Sequence, residues 1–279
     1  MPELPEVETI ARTLAPAVID RRIAGIELIY RPLLRTGRKT LSALAGSRVL
    51  GVRRRGKMLL IEIDGGRTLV FHLKMTGQFL FERSGSPRDK HTRLVIRFDD
   101  DKNELRFRDV RKFGFLLCVD GEPESACAEL SCLGPEPLET SLTELAAILK
   151  ARRGRVKSVL LDQRRIAGIG NIYADEMLFD ARIHPQTPAS SLRRPTVERL
   201  YTSMRKILSL AIAEKGSTLR DYRDADGNAG SFQESHKVYD RTGEPCMSCG
   251  TPIRMIRVGG RSSHFCPRCQ RKRGRRSPN

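Results

Sequence analysis

The 279-residue sequence lacks any stretch of about 18 apolar residues, the length that a membrane-spanning helix needs. Its N-terminus also lacks the basic start and the apolar stretch that a secretory signal requires. No internal repeat stands out. We therefore expect a cytoplasmic protein of two or three domains, because a single core usually stops growing near roughly 250 to 300 residues.

Acidic residues are scarce relative to basic ones. The chain has 33 Asp and Glu residues against 51 Lys and Arg residues, so its formal net charge at pH 7 is +18. A field of this sign attracts polyanions and raises the rate at which they meet the protein. Nucleic acid is the first candidate partner, and an anionic membrane surface is a weaker second.

The N-terminal part combines one helical pattern with a series of short β-rich runs. Apolar residues keep helical spacing over residues 6–19, at Val7, Ile10, Leu14 and Val18. Turn-like separators then divide the β-rich runs IAGIELIY, MLLIEID, TLVFHLKM, RLVIRF, ELRFRD and FGFLLCV. This pattern predicts an antiparallel sandwich or barrel over residues 23–119.

The pattern becomes helical after about residue 135. The two prolines of LGPEPLE, at residues 133–139, indicate an interdomain connection. Ser141 and Glu144 form a capping-box pattern, and a later helix is predicted to bury one face made of Val197, Leu200, Tyr201, Met204, Ile207, Leu208 and Ala211. The polar segment at 216–236 has the length and composition of a lid, a binding loop or a disordered segment.

Two CxxC pairs, separated by sixteen residues, lie near the C-terminus: Cys246 with Cys249, and Cys266 with Cys269. Four thiolates at this spacing can close a tetrahedral shell around one zinc ion, and a shell with no open position is structural. A redox or disulfide pair is the disfavoured alternative in a cytoplasmic chain. The segments PIRMIRV and SSHFC flank GGR, which predicts a hairpin with Arg261 near its tip. The other cysteines are interpreted as free thiols that fill small core gaps: Cys118, Cys127 and Cys132.

The segment GIGN suggests a helix start that suits an anion. Asn171 is predicted to cap the helix beginning IYADEML, and Gly168 and Gly170 allow a tight turn before it. The backbone amides of a helix N-terminus form a site for phosphate. A capped helix after a glycine turn is common, so an ordinary structural role stays open at this point.

Six motifs follow one another along nearly the whole chain: MPELPEVET, GKMLL, FHLKMTG, DVRKFG, AGIGNIYADE and GGRSSHFCPRCQR. Together they resemble bacterial formamidopyrimidine-DNA glycosylases. The resemblance implies an α+β protein with an N-terminal antiparallel β-sandwich and flanking helix, a helix-two-turns-helix domain and a four-cysteine zinc hairpin. Leu4 stands where the related endonuclease VIII branch typically has glycine, which favours the purine-specific branch. Asp240, where the family usually has glycine, is a departure.

The resemblance divides the chain into four parts. Residues 1–134 would form the catalytic β-sandwich domain, and residues 135–235 the helix-two-turns-helix domain with a lesion-capping loop. Residues 236–271 would form the zinc-finger hairpin. The basic tail at 272–279 departs from the family pattern and is interpreted as a solvated extension, with added non-specific DNA affinity as the alternative.

The implied activity is that of a bifunctional glycosylase and abasic-site lyase, which removes 8-oxoguanine and formamidopyrimidines from duplex DNA. Once Met1 is removed, Pro2 presents a secondary amine with a pKa of roughly 8, so part of it is neutral and nucleophilic near pH 7. Attack on the sugar would expel the base and leave an iminium, which acts as an electron sink for β- and then δ-elimination. By the same resemblance Glu3 is the general acid and base, and Glu6 orients the terminus. On its own, a Pro-acid start is also an ordinary way to begin a helix.

The resemblance also implies the residues that contact DNA. Lys57 and Arg261 would grip phosphates beside the lesion and assist the two eliminations. Further contacts would come from the backbone-binding residues His91, Lys112, Arg153, Asn171 and Tyr173. The hole left by an everted base would be filled by a wedge of Met75, Arg111 and Phe113, although single apolar residues of this kind are more often core.

The resemblance completes the expected profile with one structural zinc ion, a monomeric state and a bacterial, nucleoid-associated location. Two alternatives stay open from the sequence. One is a relative that prefers oxidised pyrimidines, and the other is a catalytically silent zinc protein that binds damaged or bent DNA. A catalytically silent protein is disfavoured by the joint presence of Pro2, Glu3, Lys57 and Arg261, because binding alone needs no nucleophile.

Overall fold

The computed structural model describes residues 1–36, 38–100, 102–151, 154–219, 222–225 and 227–272. The chain forms two compact units. The first contains Met1–Cys132 and Ala211–Gln233, and the second contains Leu133–Leu210 and the chain from Glu234 onward. The change of unit at residue 133 lies close to the predicted connection, whereas residues 211–233 return to the first unit because Tyr222 and Ala225 join its hydrophobic core.

Among the described residues, two sheets form the framework of the first unit. One sheet has the strand order β1 (Ile23–Leu28), β7 (Thr92–Phe98), β8 (Asn103–Asp109) and β6 (Gly77–Arg83). The other has the order β2 (Leu34–Thr36), β9 (Phe115–Asp120), β5 (Arg67–His72), β4 (Met58–Ile63) and β3 (Val49–Arg55). Neighbouring strands are antiparallel except for β2 and β9, which pair in parallel. The predicted antiparallel β-sandwich is thus confirmed.

Aromatic rings from both sheets meet in the core of the sandwich. The ring centroid of Phe71, on β5, lies 4.9 Å from that of Phe79, on β6, and 5.5 Å from that of Phe107, on β8. Cys118 packs in the same core, and Cys127 is also buried. Cys132 is exposed, so the prediction that it fills a core gap is wrong. It is the C-cap of the short helix that ends at Ser131.

The helix α1 (Leu4–Val18) packs on β3 and β4. Its inner face carries the predicted apolar residues, all of them buried. Pro5 lies in the first turn, where a helix needs no N–H donor, and Glu3 and Glu6 form a capping box. The remaining helices of the first unit are short: α2 (Arg38–Ser42), α3 (Pro123–Ala126) and α4 (Ala128–Ser131).

The second unit is helical, as predicted, and ends in a hairpin. Its helices are α5 (Leu142–Lys150), α6 (Val156–Leu161), α7 (Asn171–Asp180) and α8 (Arg194–Ala213), whose last residues continue into the first unit. The predicted capping box of Ser141 and Glu144 begins α5. No helix in the described ranges has the length and apolarity that crossing a bilayer would need.

The C-terminal hairpin consists of β10 (Arg254–Val258) and β11 (Arg261–Phe265). Gly259 and Gly260 connect the strands with φ angles of 57° and 76°. Two successive positive φ values are typical of a two-residue hairpin turn and favour glycine at both positions. Because Val258 pairs with Arg261, the arginine lies at the predicted place beside the tip.

Candidate active site and nucleic-acid interface

The N-terminal residues are buried at the start of α1. Pro2 is buried, and the exposed fractions of Glu3 and Glu6 are 3% and 1%. The backbone N–H of Glu3 donates a 2.7 Å hydrogen bond to Oε2 of Glu6. This bond fixes the backbone that immediately follows the predicted nucleophile.

Glu6 also binds the returning segment of the first unit. Its Oε1 accepts a 2.7 Å hydrogen bond from the backbone N–H of Ser217, and its carbonyl accepts a 3.3 Å bond from the Tyr222 hydroxyl. A Cβ on Gly216 would lie 2.7 Å from Oε1 of Glu6, and Gly216 has a φ of 79°, so both space and conformation favour glycine. One carboxylate therefore fixes both the start of the chain and the start of the predicted lid.

A cluster of cationic side chains surrounds His72. Lys57 is buried in the turn between β3 and β4, with 8% of its surface exposed. Burial, together with the nearby charges of Lys74, Lys57 and Arg35, lowers the pKa of His72 to about 3. The Arg35 guanidinium carbon lies 3.8 Å from the centroid of the Phe115 ring. Such a concentration of positive charge suits a phosphate group.

Three members of this cluster were not predicted as site residues. His72 and Lys74 lie within the motif FHLKMTG, so that motif carried a signal for them. Arg35 lies on β2, and no motif marks it. Its approach to Phe115 depends on the pairing of β2 with β9, which the sequence pattern did not reveal.

The predicted wedge residues are exposed on two loops of the first unit. The exposed fractions of Met75 and Phe113 are 42% and 53%, so neither is a core residue. Arg111 places its guanidinium carbon 4.8 Å from the centroid of the Phe113 ring. Lys112, with a φ of 59°, stands between them and directs its amine toward the Tyr30 ring.

His91 lies at the start of β7 and is partly exposed. Its backbone N–H donates a 2.8 Å hydrogen bond to Oδ1 of Asp89, and its Nδ1 lies 3.3 Å from an Arg93 nitrogen. The structure thus holds His91 against an adjacent cation. Arg153, another predicted contact to the DNA backbone, lies outside the described residues, as do residues 273–279 of the predicted basic tail.

The predicted N-cap of α7 needs correction. Gly170, in an extended conformation, is the N-cap, while Asn171 already belongs to the helix and donates from Nδ2 to the Ser262 hydroxyl at 3.3 Å. The predicted capping role of Asn171 is therefore wrong, since its side chain points to the hairpin. The ring of Tyr173 is fully buried, so any contact from this residue to DNA would have to come from its main chain.

Buried polar contacts hold the hairpin on α6 and α7. Nζ of Lys157 donates to Oδ1 of Asp175 at 2.6 Å and to the carbonyl of Ser262 at 2.5 Å. Oδ2 of Asp175 accepts a 2.9 Å bond from the backbone N–H of His264. Arg261, one residue before Ser262, is exposed. The backbone next to Arg261 is thus anchored, while the Arg261 side chain is exposed to solvent.

The four predicted metal ligands come together beneath the hairpin. Their Sγ atoms all lie within 4.8 Å of one another, with 3.9 Å between Cys246 and Cys269 and 3.5 Å between Cys249 and Cys266. Tetrahedral zinc with Zn–S bonds of about 2.3 Å would place sulfurs about 3.8 Å apart, whereas an S–S bond is about 2.0 Å long. The cluster fits one structural zinc ion and does not fit a disulfide.

Models of three protein families match the chain in sequence. The Formamidopyrimidine-DNA glycosylase N-terminal domain matches residues 1–116, the Formamidopyrimidine-DNA glycosylase H2TH domain matches residues 133–223, and the zinc finger found in FPG and IleRS matches residues 243–271. Fold, metal site and matched models together define a DNA glycosylase of base excision repair.

Relatives of similar length support the same class. The formamidopyrimidine-DNA glycosylase of Solibacter usitatus is 48% identical over 274 residues, which cover 98% of this chain and 100% of the relative. The Moorella thermoacetica enzyme is 48% identical over 262 residues, covering 92% and 95%. Lactococcus lactis Fpg, solved with DNA containing an abasic site, is similar in structure with a TM-score of 0.90 and 37% identity, covering 97% of this chain and 100% of that one. The chain belongs to the formamidopyrimidine-DNA glycosylase family.

Proposed function

We propose that this chain excises oxidised purines from duplex DNA through a covalent bond to Pro2 and then cleaves the strand by β,δ-elimination. The observation that carries the proposal is the buried arrangement of Pro2, Glu3 and Glu6 at the start of α1. It occurs in a chain that matches glycosylases of this family over nearly its full length. Related Lactococcus lactis structures contain Fapy-dG or abasic-site DNA.

The chemistry begins at the N-terminus after removal of Met1. The Pro2 nitrogen donates its lone pair to the sugar C1′, and the glycosidic bond breaks with its electrons leaving on the base, which takes a proton. The nitrogen then loses its own proton and forms the C=N bond with its lone pair, while the C1′–O4′ bond breaks and O4′ takes a proton, which opens the sugar ring. Because Pro2 is a secondary amine, the resulting imine is cationic and accepts the electrons released when a C2′–H bond breaks. The 3′ phosphate then leaves by β-elimination, and the 5′ phosphate leaves by δ-elimination. Glu3 moves protons at the sugar.

Cationic side chains assist the departure of each phosphate. Lys57 lies in the cluster with His72 and Arg35, which suits it to the phosphate beside the lesion. Arg261 is held beside the tip of a metal-bound hairpin, which suits it to the second elimination. His91, Lys112, Arg153, Asn171 and Tyr173 are proposed to fix the DNA backbone without reading its sequence.

Met75, Arg111 and Phe113 are proposed to fill the hole that an everted base leaves in the stack. Their exposure supports the proposal, since a side chain buried in a core cannot enter DNA. Removal of one base from the stack costs a few kcal/mol, which inserted side chains offset. The segment at 217–237 is proposed to cover the everted base.

We further propose the four functional parts 1–134, 135–235, 236–271 and 272–279, with the enzyme acting as a monomer in the bacterial cytoplasm at the nucleoid. The second unit's hairpin and the matched zinc-finger region at 243–271 support the third of these parts. By sequence, residues 211–233 belong to the proposed part 135–235. In the fold they pack in the first unit.

Incision of two labelled duplexes tests the proposal, one bearing 8-oxoguanine and the other an oxidised pyrimidine. We expect faster incision at 8-oxoguanine, with phosphate at both ends of the gap. Faster incision at the pyrimidine would overturn the proposed base preference. The test includes a pyrimidine because a related Lactococcus lactis Fpg has been solved with oxidised-pyrimidine DNA. Tight binding without incision of either duplex would indicate a binding protein instead.

A further inference from the structure

The proposed wedge is divided between two loops of the first unit. Met75 lies in the loop between β5 and β6, and Arg111 and Phe113 lie in the loop between β8 and β9. Each loop contains a lysine in the left-handed region, Lys74 with a φ of 52° and Lys112 with a φ of 59°. These reversals set the direction of each loop, and the strand pairs Gly77–Asp109 and His72–Phe115 hold the ends of the two loops side by side. Between those ends, a side-chain contact joins the loops.

Asp109, the last residue of β8, supplies that contact. Its side chain is buried, with 1% of the residue exposed. Oδ1 accepts a 2.5 Å hydrogen bond from the Thr76 hydroxyl, in the Met75 loop. Oδ2 accepts a 2.8 Å bond from the backbone N–H of Gly114, in the other loop. One carboxylate therefore joins both loops.

Thr76, in the Met75 loop, makes a second contact between the two loops. Its Oγ1 accepts a 3.0 Å hydrogen bond from the backbone N–H of Arg111 while its proton goes to Asp109. The hydroxyl thus bonds to Asp109 and to a wedge residue at once. Behind it, Nε of Arg93 donates a 2.8 Å bond to the Asp109 carbonyl, which fixes the aspartate itself.

The glycines at the ends of the two loops show how closely the backbone there approaches neighbouring atoms. A Cβ on Gly114 would lie 3.0 Å from Oδ2 of Asp109 and 3.0 Å from the Phe107 ring. A Cβ on Gly77 would lie 2.5 Å from the carbonyl oxygen of Leu73. Gly77 leaves no room for a side chain without a shift of the Leu73 backbone, and a side chain at Gly114 would need its side-chain neighbours to move by a few tenths of an ångström.

We propose that Asp109 and Thr76 are positioning residues that set the spacing between the Met75 loop and the Arg111–Phe113 loop, so that both enter the base stack together. The proposal rests on the proposed function of the wedge. Exposed loops lose conformational entropy when they bind, and a loop fixed beforehand loses less. Hydrogen bonds to a buried carboxylate are stronger than neutral ones, which suits them to this task.

The experiment compares Thr76→Val with Thr76→Ser. Valine has the shape of threonine without the hydroxyl, and serine keeps the hydroxyl. Thr140→Val is the matched control, because it removes another buried threonine hydroxyl, bonded at 2.7 Å to the Glu136 carbonyl in the second unit. Single-turnover rates are measured on an intact 8-oxoguanine duplex and on a preformed abasic site. Base eversion is followed by the fluorescence of 2-aminopurine placed beside the lesion.

We expect Thr76→Val to slow both eversion and excision by at least about tenfold, the usual effect of losing one hydrogen bond to a charged group. Cleavage of the preformed abasic site should change by less than about threefold, because no base has to be evicted. Thr76→Ser should restore eversion to within about threefold of the unmodified enzyme, as expected when the hydrogen bond is kept.

Three results would overturn the proposal. One is unchanged eversion in Thr76→Val, and another is an equal loss in Thr76→Ser. The third is an equal loss by Thr76→Val on both substrates, which would indicate general damage to folding or DNA affinity. Failure of the proposed function looks different, since the unmodified enzyme itself would then leave both substrates intact.

Discussion

At the scale of single residues, Glu6 connects the first turn of the chain to a segment more than two hundred positions later. Its carboxylate accepts from Glu3 and from Ser217, at 2.7 Å each. Glu6→Gln would turn an amide donor toward one of these N–H groups. We expect a loss of about 1–3 kcal/mol in the free energy of unfolding, the usual cost of an unsatisfied buried donor, together with slower excision.

Urea unfolding and single-turnover kinetics measure both effects of Glu6→Gln. Glu8→Gln is the control on the same helix, because Glu8 forms partly exposed ion pairs with Arg12 and Arg54. Pairs of this kind contribute about 0–1 kcal/mol. Equal losses in the two variants would show that the Glu6 contacts have no special role.

Substitution of Phe113, a proposed wedge residue, tests eviction of the base separately from the chemistry that follows. Because 53% of the residue is exposed, Phe113→Ala should leave the thermal unfolding temperature nearly unchanged. Excision from an intact 8-oxoguanine pair should fall by about tenfold or more, since base stacking on an aromatic ring contributes about 1–3 kcal/mol. A preformed abasic site should be cleaved at a rate much closer to normal. Equal losses on both substrates would mean that Phe113 supports general DNA affinity.

His72 predicts a pH dependence of stability with a definite sign. Burial, aided by Lys74, Lys57 and Arg35, lowers its pKa from 6.5 to about 3 in the folded protein. Between these pH values the unfolded chain binds more protons, so acid favours unfolding and the contribution of His72 is complete only above about pH 6.5. On acidification, the free energy of unfolding falls by at most about 1.4 kcal/mol per pH unit because of His72.

Urea titrations of the unmodified protein and His72→Gln between pH 4 and pH 7 isolate this contribution. Glutamine cannot titrate and can still accept the 3.0 Å bond that the Lys74 backbone N–H donates to Nδ1 of His72. The variant should therefore lose less stability on acidification. Parallel curves for the two proteins would show that His72 is not held in its neutral form.

At the scale of elements, the zinc hairpin presents Arg261. Cys249→Ser should lose zinc, DNA binding and incision together, because the closed cysteine cluster holds the chain beneath the hairpin. Cys132→Ser is the matched control, since Cys132 is exposed and lies outside the cluster. Metal analysis and a DNA-binding titration measure the outcome. Full incision activity in zinc-free protein would contradict the structural role of the metal.

The strands predicted from sequence contain runs of apolar residues or, in ELRFRD, apolar residues that alternate with charged ones. The pattern missed β3 because its sequence VLGVRRR ends in three arginines, which form ion pairs in the fold, as Arg53 does with Glu62 and Glu124. It also missed β6, which starts at a glycine and ends in charged residues. Hydrophobic periodicity cannot detect charges that are neutralised by distant partners. Local motifs did better at the hairpin, where GGR between PIRMIRV and SSHFC predicted the turn.

At the scale of the whole molecule, the sequence predicted the β-sandwich, the helical part and the zinc cluster, but not the return of residues 211–233 to the first unit. That return depends on Tyr222 and Ala225 entering a core formed mainly by the first hundred or so residues. No local pattern encodes such a contact. The proposed nucleophile, Pro2, also came from a motif, since a Pro-Glu start has no chemical meaning without the motifs that accompany it.

Borohydride trapping tests the central claim most directly, because it captures the bond between the protein and the sugar. On a duplex bearing 8-oxoguanine, the enzyme should form a covalent adduct whose DNA-linked peptide maps to Pro2. Pro2→Gly should sharply reduce the yield, since the cationic imine of a secondary amine is then lost. Trapping of Pro2→Gly at an undiminished yield through an internal lysine would contradict the account.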